Sequence, residues 1–242
     1  MDNDDLPVGR ILERREVLKL LGLSGGALLL NSLSGFTSVQ ADTGPLPGCL
    51  VRPELTEGPY FVDERLERSD IRLDINSAAV SAGVSLVLKF VVSQVGNGCK
   101  PLQGAIVDVW HCDAEGRYSD VNDRSSSTIG QTFLRGYQAT DANGLAQFTT
   151  IYPGWYPGRT VHIHFKIRTG FGQAFEFTSQ LFFDDALTDQ VYTADPYAST
   201  GERNSRNTDD GIYRDSGGQL LLALSPEADG YVTTFDIGLQ IA

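Results

Sequence analysis

Two of the three histidines in this 242-residue chain stand two positions apart, as His162 and His164 in Arg159-Thr-Val-His-Ile-His-Phe-Lys-Ile-Arg168. In an extended strand, side chains at i and i+2 project to one face, so both imidazoles point the same way. Val161, Ile163 and Phe165 then line the opposite, packed face. Two adjacent imidazoles are natural metal ligands. No Asp, Glu or Cys lies within several residues of the pair, whereas Tyr156 precedes it in Pro153-Gly-Trp-Tyr-Pro-Gly158 and Tyr118 lies upstream in Gly116-Arg-Tyr-Ser-Asp120. A free phenol has a pKa of about 10 and ionises at neutral pH only when a strong Lewis acid replaces its proton. Two phenolates and two neutral imidazoles suit a trivalent hard cation and leave a ferric ion one net positive charge and an open position. Zinc more usually takes Cys, His or carboxylate, and ferrous oxygenases typically use two His and one carboxylate. The competing reading makes both histidines ordinary residues on the polar face of a strand.

The elements that must position these residues read as short β-branched and aromatic runs divided by turn chemistry. Strands are expected over 84–95, 105–112, 133–139, 145–151, 160–167, 175–183, 219–224 and 231–241. Asp141-Ala-Asn-Gly144 joins two of them, its Asn-Gly supplying the positive φ angles of a tight hairpin, and Glu227-Ala-Asp-Gly230 joins the last two. One short helical turn is expected near 184–191. Many short strands at this spacing imply an all-β fold, a β-sandwich of mostly antiparallel strands with long loops. The polar segment Thr193 to Ser216 reads as a solvated loop, with a rim or lid beside a pocket as the alternative.

Further motifs accompany the site in a fixed order: Thr56-Glu-Gly-Pro-Tyr60, Pro101-Leu-Gln-Gly-Ala-Ile-Val-Asp-Val-Trp110, Gly116-Arg-Tyr118, Gly136 to Gly144, Tyr152 to Pro157, Arg159 to His164 and Thr178-Ser-Gln180. Together, from about Cys49 to the C-terminus, the chain resembles the intradiol ring-cleavage dioxygenases, the family of catechol and protocatechuate dioxygenases. The resemblance implies Fe(III) held by Tyr118, Tyr156, His162 and His164, with Tyr156 and His164 axial. It implies roles for Arg159 and Gln180 in catalysis, with Tyr156 as a displaceable ligand that accepts a substrate proton. Trp110 matches a pocket aromatic, and Pro59 and Tyr60 match the segment that approaches substrate. The implied reaction uses O2 to cleave a catechol-type ring between its hydroxylated carbons, giving a cis,cis-muconate-type diacid. The long helical N-terminal dimerisation region of catechol 1,2-dioxygenases is missing, and only one family domain is seen. Substrate identity and a homodimeric partner stay open. A different class of reading makes the chain an exported, non-catalytic β-sandwich module that binds iron or a catechol-bearing ligand. A copper-handling protein would want Met or Cys ligands, but the single Met is Met1 and no Cys adjoins the histidines.

Length and composition fit a soluble globular protein of one domain, or one domain behind a targeting segment: 41% hydrophobic, 21% charged, formal charge −12. That charge argues against nucleic-acid or anionic-membrane partners, which call for clustered Lys and Arg. Residues 1–41 read as a twin-arginine export signal, with Arg14-Arg15, a moderately apolar stretch 20–30 and Val39-Gln-Ala41 before cleavage. The expected domain is 42–242, exported to the periplasm or beyond without stable membrane insertion. Of three cysteines, Cys49 and Cys99 are the expected disulfide, because both sit in polar, turn-like contexts. Cys112 is expected to be a buried thiol. His111 is expected to be structural, because neighbouring strand residues face opposite ways.

Overall fold

The computed structural model describes residues 49–123, 127–172 and 175–241. The export-signal reading of residues 1–41 therefore lies outside the described residues. In the rest, alternating apolar positions produce two stacked sheets.

One sheet is built on β1 (Ser85–Gln94), where Leu86, Leu88, Phe90 and Val92 are buried and the residues between them are less so. One edge of β1 pairs in parallel with β9 (Gly230–Leu239) along its whole length. Its other edge is divided: β5 (Leu145–Ile151) runs antiparallel to residues 85–91, and β2 (Lys100–Pro101) to residues 93–94. The three-residue β8 (Ser225–Glu227) closes the far side of β9. The second sheet has the order β4 (Arg135–Ala139), β3 (Ile106–Trp110), β6 (His162–Arg168), β7 (Glu176–Phe182), antiparallel throughout. The sheets meet face to face through aromatic rings, with Phe165 of β6 5.3 Å from Phe90 and 5.5 Å from Phe235. Burying each such ring contributes roughly 1.5–3 kcal/mol. The expected β-sandwich is the observed fold.

Three expectations need correction. The Asp141–Gly144 turn does not close a hairpin: β4 belongs to one sheet and β5 to the other, so the turn carries the chain across the sandwich. Only Gly144 takes a positive φ (+73°), and Asp141 Oδ1 accepts from the amides of Asn143 and Leu145 to hold the bend. Residues 219–224 form no strand; Leu221 makes a single parallel bridge to Phe182, while the hairpin before β9 starts at Ser225. The segment 193–216 is solvated over much of its length but anchored by buried residues. Tyr197 is fully buried and stacks on Tyr192 at 5.2 Å, and Asn207 and Asp210 are buried as well. The short helix at α1 (Asp185–Val191) matches its expectation, capped by Asp184 accepting from the Leu187 amide. A second, α2 (Gly211–Asp215), lies inside segment 193–216.

Cys49 and Cys99 form the disulfide, and Cys112 is a free, buried thiol whose pKa burial pushes up. His111 is buried, its Nδ1–H donating to the Cys112 carbonyl (2.8 Å) and its Nε2 meeting Thr150 Oγ1 (2.6 Å). With both nitrogens satisfied, it serves structure.

Candidate metal centre

All seven residues of β6 are buried, so the polar face of the second sheet is covered rather than solvated. Strand register places Arg135, Trp110, His164 and Gln180 opposite one another across β4, β3, β6 and β7. Three of these four were expected site residues. Segment 56–66 lies over this row: the Gln180 amide donates to the Thr56 carbonyl (2.9 Å), and Phe61 packs on Trp110 at 4.8 Å. Charged side chains beneath the cover are matched in sign. Lys166 pairs with Glu57 and Glu176, and Arg168 with Asp108 and Asp63.

Four donor atoms converge at one end of this face. His162 Nε2 lies 3.0 Å from His164 Nε2, 3.1 Å from the Tyr156 hydroxyl and 3.4 Å from the Tyr118 hydroxyl. Tyr118 is brought in by the loop after β3. There, Asp113 Oδ1 accepts from the amides of Glu115 and Arg117 and ties the turn back on itself. Tyr156 comes from the loop before β6, and the two loops touch at Gly116, where a Cβ would lie 2.2 Å from the Trp155 carbonyl oxygen. His162 Nδ1–H donates to the Thr160 carbonyl (2.6 Å), so its Nε2 carries the lone pair that faces the phenols. Trp110 stacks on the His164 ring at 5.1 Å and fixes its plane.

Burial, with Arg159 nearby, holds both imidazoles well below their ordinary pKa, so they are neutral. Burial also raises both phenols, against the pull of Arg159. Alone, the four groups are uncharged and poorly matched as hydrogen-bond partners; His164 Nδ1 is buried with no partner among the described residues. The set fits a cation. Two nitrogen ligands each about 2.1 Å from a common ion and about 90° apart would stand about 3.0 Å from each other, as the two Nε2 atoms do. Among the described residues no cluster of three or more His, Cys, Asp and Glu forms, and the oxygens beside these imidazoles are the hydroxyls of Tyr118 and Tyr156.

Around the centre, Tyr60 stacks on Tyr118 at 4.5 Å and meets Tyr156 edge-on at 6.4 Å, while Pro59 is exposed beside it. Arg159 is held by Asp210 (Nε to Oδ2, 2.9 Å) and by Gln180 (Nη2 to Oε1, 2.5 Å). Burial works against its charge, but Tyr156 and Asp210 outweigh this and raise its pKa. Every expected site residue thus lies in one neighbourhood. Sequence reasoning missed Asp210, and also Arg135, whose buried guanidinium donates to the carbonyls of Tyr60 (3.2 Å) and Ser119. Arg135 could have been suspected from its place at a strand start in an otherwise buried row. Asp210 offered only an N-cap signal, Asp before Gly in a polar run.

On the covered face of the β-sandwich, two imidazoles and two phenols thus meet in one cluster whose donor set suits a metal ion. A family model described as dioxygenase matches residues 56–212. An intradiol ring-cleavage dioxygenase from Tetranychus urticae is 31% identical, with 79% of this chain covering 94% of that one at a TM-score of 0.67. The dioxygenase domain of a carbohydrate-binding fusion from Streptomyces sp. SirexAA-E is 30% identical, with 79% and 99% covered and a TM-score of 0.54. The protocatechuate 3,4-dioxygenase beta chain of Burkholderia cepacia is 33% identical over 148 residues, 55% of this chain and 62% of that protein. The chain belongs to the intradiol ring-cleavage dioxygenase family.

Proposed function

We propose that the protein is a non-haem Fe(III) dioxygenase that opens a catechol-type ring between its two hydroxylated carbons with O2, yielding a cis,cis-muconate-type diacid. The observation that carries this reading is the meeting of two imidazole nitrogens 3.0 Å apart with two phenol oxygens 3.1 and 3.4 Å from one of them. Tyr118, Tyr156, His162 and His164 would hold the ion. A ferric ion, when bound, supplies the Lewis acidity that deprotonates phenols and a substrate diol and makes the ring electron-rich toward oxygen.

The protein's own residues do the rest. Tyr156, the less buried of the two phenols, would as a phenolate accept a substrate proton at its oxygen. Arg159 presents a fixed positive charge to developing negative charge on the ring, and Gln180 holds that guanidinium from the other side. Trp110 and Tyr60 confine the pocket with aromatic walls, and Pro59 stands at its rim. Export behind a twin-arginine signal at residues 1–41 is part of the same proposal and is tested by fractionating cells that express the full chain.

The deciding experiment is an absorption spectrum with iron content, before and after anaerobic catechol, followed by oxygen uptake. A visible phenolate-to-Fe(III) band that moves to longer wavelength with catechol, followed by stoichiometric oxygen consumption, is expected. A protein that stays colourless after ferric reconstitution would overturn the ligand set. A coloured protein that binds catechol and consumes no oxygen would be an exported binding module instead.

A further inference from the structure

The geometry points to Asp210 as a positioning residue for Arg159, delivered to the site by segment 203–216; this rests on the role given to Arg159 above. The side chain of Asp210 is 2% exposed, and both of its oxygens are fully used. Oδ2 accepts from Arg159 Nε (2.9 Å) and from the Thr160 amide (2.9 Å). Oδ1 accepts from the amides of Ile212 (2.8 Å) and Tyr213 (3.3 Å) at the start of α2. One carboxylate therefore joins a helix start to the strand that carries the histidines. The guanidinium is gripped at two nitrogens, Nε by Asp210 and Nη2 by Gln180. Nη1 alone has no partner among the described residues, which fixes both the plane of the group and the nitrogen it offers.

The connection reaches the candidate ligands as well. The Thr160 amide donates to Asp210, and the Thr160 carbonyl accepts from His162 Nδ1 (2.6 Å). Beside it, Thr160 Oγ1 donates to Asn207 Oδ1 (2.7 Å), and Asn207 Nδ2 donates to the Phe183 carbonyl (2.8 Å). Arg203 anchors the start of the segment on α1 through Asp185 and Asp189. An arginine has many rotamers, and freeing it scatters the charge over positions that no longer face the ring. The opposite charge of Asp210 also lets the guanidinium stay desolvated in place.

The plain alternative is that Asp210 does no more than cap α2. Asparagine separates the two, because it caps a helix as well as aspartate does but removes the charge facing Arg159. Asp210→Asn should keep the fold, the iron content and the phenolate band, while kcat falls on the order of 10-fold or more and KM moves less than kcat. In an Arg159→Gln background the same change should add no further loss, because the group it positions is gone. A second reading avoids turnover: in the full chain carrying diamagnetic gallium(III), the Arg159 Nε–H should be protected from exchange with solvent and lose that protection in Asp210→Asn. Asp210→Glu, which keeps the charge but displaces it, covers the case in which the asparagine variant fails to fold; it should also lower kcat with its metal retained. An unchanged kcat in Asp210→Asn, an equal loss in the Arg159→Gln background, or a freely exchanging Nε–H in the unmutated chain would each overturn the assignment. A fully active Arg159→Gln variant would instead overturn the role of Arg159 in the proposed reaction, and the exchange measurement would still report whether Asp210 holds it.

Discussion

Gly116 is where the two phenol-bearing loops touch, and Gly116→Ala tests whether that contact sets the metal centre. The residue has φ +84°, and a Cβ there would lie 2.2 Å from the Trp155 carbonyl oxygen, 3.1 Å from its carbon and 3.4 Å from Tyr156 Cβ. Two of these three atoms are backbone, so no rotamer change relieves the contact. An ordinary carbon–oxygen contact needs about 1 Å more than this, given van der Waals separations of roughly 3.5 Å between heavy atoms. The left-handed backbone adds about 1–2 kcal/mol for a residue with a Cβ, and forcing an extra methyl into a packed site about 1–3 kcal/mol. The variant should thus lose about 2–5 kcal/mol of stability. The Tyr118 and Tyr156 loops should also separate by a substantial part of an ångström. Iron retention through dialysis against a chelator should fall, and the phenolate band should weaken or shift, before the protein unfolds. Chemical denaturation, iron content and the visible spectrum read these three effects. A variant with unmutated stability, iron and spectrum would refute the claim that this loop contact sets the distance between the two phenols.

Other perturbations test the scaffold. Burial lowers the His111 pKa to about 4, against about 6.5 in the unfolded chain, so the unfolded state binds the extra proton between those values. Its contribution is complete above pH 6.5 and is lost as pH falls toward 4, about 2 kcal/mol having gone by pH 5; His111→Gln should flatten the stability–pH curve of the unmutated chain over this window, and parallel curves would refute the assignment. Replacing both Cys49 and Cys99 with Ser opens a 50-residue closure and should lower stability by about 2–4 kcal/mol, measured by denaturant titration. Asp108→Ala leaves the buried Arg168 with Asp63 as its remaining partner, and a loss of about 2–4 kcal/mol is expected; a neutral effect would show that Asp63 suffices.

The residues that meet at the candidate centre could be singled out because their information is local. A two-residue period sets His162 and His164 on one face whatever the sheet around them, and the tyrosines sit in tight Gly-containing loops whose position depends on neighbours close in sequence. The apolar alternation of β1 is equally local, and so was its strand. What failed was long-range. The Asp141–Gly144 segment is a good turn by its own chemistry, but whether its flanking strands pair is decided by β1 and β3 competing for them, which no turn residue encodes. The polar run 193–216 looked solvated because its composition is that of a loop. Yet Asp210, Asn207 and Arg203 are polar in order to meet partners at 159, 160, 185 and 189, which are equally polar and distant in the chain. A buried charge and its partner each look like surface residues when read alone. Matched pairs of this kind are therefore least visible in sequence where they matter most to a site, and the residues that aim Arg159 could be recognised only once the two segments had been brought together.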